Sequence, residues 1–343
     1  MSLILKSTFP QNHIDCIWCV KYHPTKQLFA SCGSDALISI WEYNNEKSDY
    51  IKKFSLEKVH ISTIRSLDWD YSGEYLSAAS FGNDISVYKI INQNNDIQLI
   101  TVLDTFDSEI KSVSWSRNGN YLACCSRKGN IWIYEKELDD FNSEDFSCRS
   151  TFVGHKGDIK MVKFCPLENN VFFSCGFDDC IKIWEEDYTK DDFSGINTLK
   201  EHSGTIWCIE FNKKGNIFFT CSDDKFLIMW VIGNKDGDNN DNIIDYDNII
   251  ELAKINNVHL RPIYSCILSF NEKYIFTCSN DGNIGIIKII ENKEDKNYEL
   301  SLVNIINDAH EQYSVNSICI NKNEVISCGD DCCIKIWKFE ENE

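Results

Sequence analysis

The chain has 343 residues, of which 43% are hydrophobic and 25% are charged, and its formal net charge at pH 7 is −19. Such proportions are ordinary for a folded globular protein, but so large an acidic excess repels phosphate backbones and argues against nucleic acid as the main partner. No apolar run reaches the roughly eighteen residues of a membrane-spanning helix, so no membrane anchor is expected.

The N-terminal segment MSLILKSTFPQNH has too short an apolar stretch for a secretory signal. We therefore expect the protein in the cytoplasm, with the nucleus as a second location. In these reducing compartments the seventeen cysteines are expected to be free thiols or metal ligands, because disulfides rarely persist there.

Six of the seven histidines mark a repeat that runs along the whole chain. Phe106 takes the vacant position between the second and the third marker. Aliphatic residues follow most markers by four and by seven positions, as Ile17 and Val20 follow His13. A period of roughly 40 to 50 residues with short alternating strands predicts a β-propeller or a solenoid. The markers are His13, His60, His155, His202, His259 and His310.

Five repeats, the first and the fourth to seventh, share a set of polar and aromatic residues. A serine or threonine precedes an aspartate by four positions, and a tryptophan follows that aspartate by six, except that Ile287 replaces it in the sixth repeat. We predict one buried hydrogen-bonded network per repeat, because an active site would be needed only once. The predicted network residues are His13, Asp35, Trp41, His155, Asp178, Trp184, His202, Asp224, Trp230, His259, Asp281, His310, Asp331 and Trp337.

The second and third repeats depart from this set. The second keeps His60 but has Ala78 and Gly82 where the others have the hydroxyl residue and the aspartate, and the third has Phe106 and Lys128. Because the polar partners are missing together, we expect these two repeats to be held by packing more than by polar bonds.

Seven units with this His…Asp…Trp spacing resemble the WD-repeat family over essentially the whole chain, although none ends in a Trp-Asp dipeptide. The resemblance implies a single all-β domain over residues 1–343, a seven-bladed WD40 β-propeller. Only six outer strands follow the seven inner sets, so LILKSTF at 3–9 is expected to pair with CIKIWKF at 333–339 and close the ring. The Asn/Asp-rich insertion at 233–250 is expected to be a disordered loop.

Six cysteines recur three residues before the aspartate position of their blade. Thiols spread singly around a ring cannot all lie about 2.3 Å from one metal ion, and Cys16 and Cys19 would point to opposite faces of a strand. We therefore predict buried structural thiols, no metal site and no cofactor. The recurring cysteines are Cys32, Cys125, Cys175, Cys221, Cys278 and Cys328.

One position changes its chemistry from blade to blade while its neighbours stay aliphatic. In the WD-repeat family this position, five residues after the marker, faces the top mouth of the ring, as does the position before the turn aspartate. Cations beside aromatic rings there suit a peptide with a carboxylate and an aromatic side chain. The predicted partner-binding residues are Trp18, Arg65, Lys111, Arg127, Lys160, Trp207, Tyr264 and Asn316.

These mouth residues, and segments such as EIKSVSWSRNGNYLACCSRKGNIWIYE at 109–135, are similar to those of one WD-repeat group. The group is the WD-repeat subunits of the cytosolic iron–sulfur protein assembly (CIA) targeting complex. The resemblance implies a non-catalytic adaptor without a cofactor. Its partners would be a small adaptor with a reactive cysteine, a HEAT-repeat-type scaffold, and apoprotein clients that receive Fe–S clusters in the cytosol and nucleus.

Two other classes of function stay open. The chain could be another WD40 interaction scaffold, either a ubiquitin-ligase substrate receptor or a reader of histone or peptide tails. Its one Trp-Asp pair, Trp69-Asp70, is followed by Tyr71 and so lacks the ligase-docking motif, and its basic mouth does not suit a histone tail. An enzyme is disfavoured, because no single cluster of acid, base and nucleophile is recognisable.

Overall fold

The computed structural model describes the whole chain except residues 11, 93, 105, 139–143, 191, 235–243, 293–296 and 342–343. The described residues form seven four-stranded antiparallel sheets, so the predicted all-β, seven-bladed propeller is confirmed. No helix in this part of the chain is long and apolar enough to cross a bilayer.

The first strand, β1 (Ser2–Phe9), belongs to the last sheet, and the others build the blades in chain order from the innermost strand outward. Blade one contains β2 (Ile17–Tyr22), β3 (Leu28–Gly33), β4 (Ile38–Asn44) and β5 (Asp49–Ser55). Blade two contains β6 (Ile64–Trp69), β7 (Tyr75–Ser80), β8 (Ile85–Ile90) and β9 (Ile97–Leu103). Blade three contains β10 (Ile110–Trp115), β11 (Tyr121–Ser126), β12 (Asn130–Leu138) and β13 (Glu144–Val153).

The second half of the ring repeats this order. Blade four contains β14 (Ile159–Phe164), β15 (Val171–Gly176), β16 (Ile181–Asp187) and β17 (Asp192–Leu199). Blade five contains β18 (Ile206–Phe211), β19 (Ile217–Ser222), β20 (Leu227–Asn234) and β21 (Ile244–Ile255). Blade six contains β22 (Ile263–Leu268), β23 (Tyr274–Ser279), β24 (Ile284–Asn292) and β25 (Asn297–Ile306). Blade seven contains β26 (Val315–Asn321), β27 (Glu324–Gly329) and β28 (Ile334–Glu340).

The core lies between neighbouring blades, because each sheet packs both of its faces against the next ones. Strands β3, β7, β15 and β23 are buried at every position, which explains why they read as continuous runs of apolar and small residues. Outer strands such as β17 carry exposed residues along their length. The innermost strands contact each other around the ring axis.

The ring is closed by its two chain ends, as predicted. Strand β1 pairs antiparallel with β28, from Ser2 opposite Glu340 to Phe9 opposite Ile334. Leu3 is buried in the core of blades six and seven. The N-terminal strand thus covers the edge that β28 would otherwise expose.

Blade five shows the predicted polar network in full. The Trp230 Nε1–H group donates to Thr220 Oγ1 at 2.9 Å, Thr220 Oγ1 lies 2.8 Å from His202 Nε2, and His202 Nδ1 lies 2.8 Å from Asp224 Oδ2. Because the Trp230 indole can only donate, the Thr220 hydroxyl accepts from it and can donate its own proton to His202 Nε2. The imidazole proton is then on Nδ1, which donates to Asp224.

The same chain of contacts occurs in blades one, four and seven, and it occurs without the tryptophan in blade six. The predicted residues are therefore in contact in all five blades, and their structural role stays a prediction. Burial raises the pKa of the Asp178 carboxyl. The hydrogen bond and the charge of His155 lower that pKa by more, so that it falls to about 2.

Blade two, which was expected to be held by packing more than by polar bonds, retains part of the polar network. His60 Nδ1 lies 3.0 Å from Asp84 Oδ1, and His60 Nε2 lies 2.7 Å from Ser86 Oγ. Ser86 is the cross-strand partner of Ala78, so its hydroxyl reaches the place that the missing serine would occupy. Asp84, two residues beyond Gly82, replaces the aspartate.

Blade three is held by aromatic packing, as predicted. The ring of Phe106, which stands at the histidine position, packs edge-on against Trp132 at a centroid distance of 5.0 Å and against Tyr134 at 5.9 Å. All three side chains are buried. Such contacts stabilise by burial and by favourable ring geometry.

The insertion at 233–250 is not a loop over its full length, and that boundary was wrong. Residues 233 and 234 end β20, and residues 244–250 begin β21, which pairs with β20. The alternation in IIDYDNII lets Tyr246 pack into the core of blades four and five. The remaining part of that prediction, residues 235–243, lies outside the described residues.

Candidate functional site

The seven variable residues all occupy the same backbone feature. In every innermost strand the pairing register skips one residue; in β2, for example, Ile17 pairs with Gly33 and Cys19 with Cys32, which leaves Trp18 as the extra residue of a β-bulge. A bulge re-aims the side chain of its extra residue and is frequent beside binding sites. The residues skipped in the seven blades are Trp18, Arg65, Lys111, Lys160, Trp207, Tyr264 and Asn316.

The two variable positions of a blade contact each other. Trp18 Nε1 donates to Ser34 Oγ at 2.7 Å, and Asn280 Nδ2 donates to the Tyr264 hydroxyl at 3.0 Å. Both positions therefore lie at the same mouth of the ring. Equivalent pairs are Trp207 with Asp223 and Asn316 with Asp330.

Cationic side chains lie over aromatic rings at this mouth. The guanidinium carbon of Arg65 lies 5.1 Å from the centroid of the Trp18 ring, and Lys160 Nζ lies 4.5 Å from the centroid of Trp207. Trp207 in turn packs against Tyr264 at a centroid distance of 4.9 Å. The cation–π contacts hold both charges in fixed positions beside flat apolar surfaces.

Two carboxylates also lie at the mouth, and the sequence analysis missed them. Glu109 binds both Lys111 Nζ and Arg127, with 2.9 Å between its Oε1 and the nearer guanidinium nitrogen. Asp158 Oδ2 lies 2.6 Å from Lys160 Nζ. Each acid precedes the variable lysine of its blade by two positions, so that spacing was the available signal.

Arg65 is the mouth cation whose charge is least compensated. In the described part of the chain no carboxylate lies within 4.0 Å of it. Burial raises the pKa of Glu109, but Lys111 and Arg127 lower it further, so the carboxyl stays ionised below its ordinary range. An incoming anion can therefore meet Arg65 without displacing a resident carboxylate.

Seven of the eight predicted residues line one cavity of about 80 Å³ on the ring axis. Arg127 is not in its lining; it stands on the rim, where 65% of its side chain is exposed. Asn316 is only 3% exposed, and its amide donates to the carbonyl oxygen of Ile17. Asn316 therefore ties blade seven to blade one more than it faces a partner.

The axial region also brings together three thiols that the sequence analysis kept apart. The Sγ atoms of Cys208, Cys221 and Cys266 all lie within 4.8 Å of one another. The sequence analysis compared only the recurring position of Cys221, so it did not foresee that Cys208 and Cys266, from other positions, lie beside this thiol. Cys208 and Cys266 lie on β18 and β22, which contact each other across two blades.

Known proteins align with nearly the whole chain. One, from Culex quinquefasciatus, is 28% identical over 96% of this chain and 96% of its own length, and is named probable cytosolic iron-sulfur protein assembly protein Ciao1. Another, from Scheffersomyces stipitis, is 28% identical over 95% of this chain and 97% of its own, and is named probable cytosolic iron-sulfur protein assembly protein 1.

The family profile described as WD domain, G-beta repeat matches six segments that together make up more than half of the chain. The segments are residues 5–42, 97–135, 146–185, 193–231, 251–287 and 301–338. The unmatched stretch before residue 97 contains the three inner strands of blade two, where Asp84 and Ser86 replace the usual network residues. With six matched repeats and seven blades in a closed ring, the chain belongs to the WD40 repeat family.

Proposed function

We propose that this protein is a non-catalytic adaptor of cytosolic iron–sulfur protein assembly, which binds apoprotein clients and presents them to the assembly machinery. The observation that carries the proposal is the alignment over nearly all of both chains with proteins named for that process. A closed ring with several separate faces suits a protein that holds two or more partners at once.

The client would bind at the mouth, as a short peptide that ends in a carboxylate and carries an aromatic side chain. Arg65 offers a charge without a resident carboxylate, and Trp18 beside it offers a flat surface. Lys160 and Trp207 form a second such pair, and Tyr264 extends the aromatic wall. On a chain with a net charge of −19, the cations of this cluster offer an acidic tail local contacts of opposite charge.

Arg127 has a different part in this proposal. Because Glu109 binds its guanidinium on the rim, Arg127 would meet a side-chain carboxylate of the client only by exchanging partners. We therefore expect Arg65 to contribute more to affinity than Arg127.

The remaining partners would use other faces of the ring. We propose a small adaptor with a reactive cysteine and a HEAT-repeat-type scaffold, with the complex acting in the cytosol and serving nuclear clients as well.

The test is affinity purification from cell extract of the wild type, Arg65→Glu and Arg127→Glu, read by mass spectrometry. Arg117→Glu is the matched control, since Arg117 is exposed and follows the opposite end of β10 from Lys111. We expect the wild type and the control to retain iron–sulfur enzymes, and Arg65→Glu to lose them while keeping the other assembly proteins.

Other outcomes would contradict the proposal. Recovery of ubiquitin-ligase or chromatin components in place of assembly proteins would identify another kind of WD40 scaffold. Equal client recovery with Arg65→Glu and Arg117→Glu would place the client away from the mouth. A direct titration of the purified ring with a synthetic tail peptide separates client binding from the rest of the complex.

A further inference from the structure

Blades five and six direct three cysteines to one point beside the ring axis. Cys208 lies on β18, Cys221 on β19 and Cys266 on β22, and their Sγ atoms lie within 4.8 Å of one another. All three residues are buried, with 6%, 0% and 2% of their surface exposed. Among the described residues, this is the one group of three or more His, Cys, Asp or Glu side chains with such convergent ligand atoms.

The repeat explains the presence of Cys221, which holds the recurring cysteine position, but it does not explain why three thiols converge. In blades one and seven the thiol equivalent to Cys221 donates to a backbone carbonyl of the next blade, Cys32 to Ile64 at 3.3 Å and Cys328 to Ile17 at 3.6 Å. Cys266 stands seven residues after its marker, where the other blades have Val, Leu or Ile. An aliphatic residue is sufficient for packing at this position in the other blades, so packing does not explain the thiol of Cys266.

The separation of the sulfurs fits one metal ion. Thiolates bind Zn²⁺ at about 2.3 Å, which places three sulfurs around one ion roughly 4 Å apart. The observed limit of 4.8 Å requires only small side-chain movements to reach that value. Clusters of soft sulfur donors select thiophilic ions such as Zn²⁺ and Cu⁺ over hard cations.

An ion can reach this point from the axis. Cys208 and Cys266 line the axial cavity of about 80 Å³, which is large enough for several water molecules. Four cations and one acid line the same cavity, and this excess of positive charge can offset the negative charge that three thiolates would bring; they are Lys21, Arg65, Lys111, Lys160 and Glu210. Met161 adds another soft sulfur nearby, since its Sδ accepts the backbone N–H of Ile209, the residue after Cys208, at 3.2 Å.

We propose that Cys208, Cys221 and Cys266 bind a single thiophilic ion, Zn²⁺ or Cu⁺, with a further coordination position open to the axial cavity. On binding, three S–H bonds are exchanged for three metal–sulfur bonds, the protons pass to water, and no electrons are transferred. The ion joins blade five to blade six directly below the mouth. Trp207 precedes Cys208, and Tyr264 lies two residues before Cys266, so the ion also fixes the spacing of this aromatic pair. The inference does not depend on the proposed client.

The first test is titration of the reduced, metal-free protein with Zn²⁺ and, separately, with Cu⁺, each against a chromophoric chelator. We expect one equivalent of one of these ions to be withdrawn from the chelator, and the arm that succeeds identifies the ion. Cys208→Ser should weaken binding by more than about a hundredfold, since even outer partners of metal ligands contribute 10- to 100-fold. Cys19→Ser is the matched control, because Cys19 has the same repeat position and the same 6% exposure.

A second measurement does not rely on variants. X-ray absorption of the loaded wild type should show three sulfur neighbours at about 2.3 Å, and the ion should protect Cys208 and Cys266, but not Cys19, from alkylation in native protein. Failure of both ions to compete with the chelator, or equal losses in Cys208→Ser and Cys19→Ser, would overturn the proposal. Purified protein that instead carries iron with acid-labile sulfide at these cysteines would also overturn it.

Discussion

The polar network of blade five can be tested by removing one hydroxyl group. Thr220 Oγ1 contacts both Trp230 Nε1 and His202 Nε2, at 2.9 and 2.8 Å, and Thr220 is fully buried. Thr220→Val keeps the shape of the side chain and removes this shared partner. Thr220→Ser is the matched control, since it keeps the hydroxyl, as Ser31 and Ser174 do in blades one and four.

The expected loss follows from the two groups left without a partner. A buried donor or acceptor without a hydrogen bond costs about 1–3 kcal/mol, and the methyl group that replaces the hydroxyl returns at most about 0.8 kcal/mol. Two such groups cost about 2–6 kcal/mol together, so we expect Thr220→Val to lower the free energy of unfolding by about 1–5 kcal/mol, out of a typical total of about 5–15 kcal/mol. Thr220→Ser removes one methyl group and should cost about 1 kcal/mol.

The assay is urea unfolding followed by both tryptophan fluorescence and circular dichroism. Coincident transitions with unchanged slopes let the shift in midpoint be converted to a free-energy difference. If Thr220→Val is no more destabilising than Thr220→Ser, the hydrogen-bonded chain does not stabilise the blade, and the reasoning for all five equivalent blades fails.

Three further predictions concern stability in acid, closure of the ring and the exposure of the cysteines. Because His155 lowers the pKa of Asp178 below its usual value, the stability from this pair should be fully present above about pH 4. It should be lost as the pH falls towards about 2. In urea unfolding at several pH values, the midpoint should therefore fall less steeply with acid for Asp178→Asn than for the wild type. Deleting residues 1–9 removes the partner of β28, so we expect a lower Tm and association by size-exclusion chromatography. Cys148 is the one exposed cysteine among the described residues. In native protein it should be alkylated before the buried thiols, as peptide mass spectrometry would show.

Much of the architecture could be predicted because the repeat encodes it seven times. The His, Asp and Trp positions and the closing strand follow from spacing along the chain. The place of the variable position at the mouth was implied by the resemblance to the WD-repeat family. The packing of blade three also follows, since a phenylalanine at the histidine position cannot form hydrogen bonds with polar partners.

Apart from the bounds of the 233–250 insertion, the features that the sequence analysis missed involve contacts between residues that do not share a repeat position. Ser86 reaches His60 because it stands opposite Ala78 on the neighbouring strand, and a comparison of repeats column by column cannot show that. Cys266 meets Cys208 across a blade boundary. Glu109 was missed because only blades three and four have an acid two residues before the variable position, at Glu109 and Asp158.

The pairing of β1 with β28 also constrains how the protein can be made. All the other strands lie between these two along the chain, so on the ribosome blade seven stays incomplete until the last strand has emerged. Leu3 and its neighbours remain without their partner throughout that time. Synthesis of this ring therefore ends with its most sequence-distant contact, and until then the unfinished edge of blade seven is open to chaperones or to other chains.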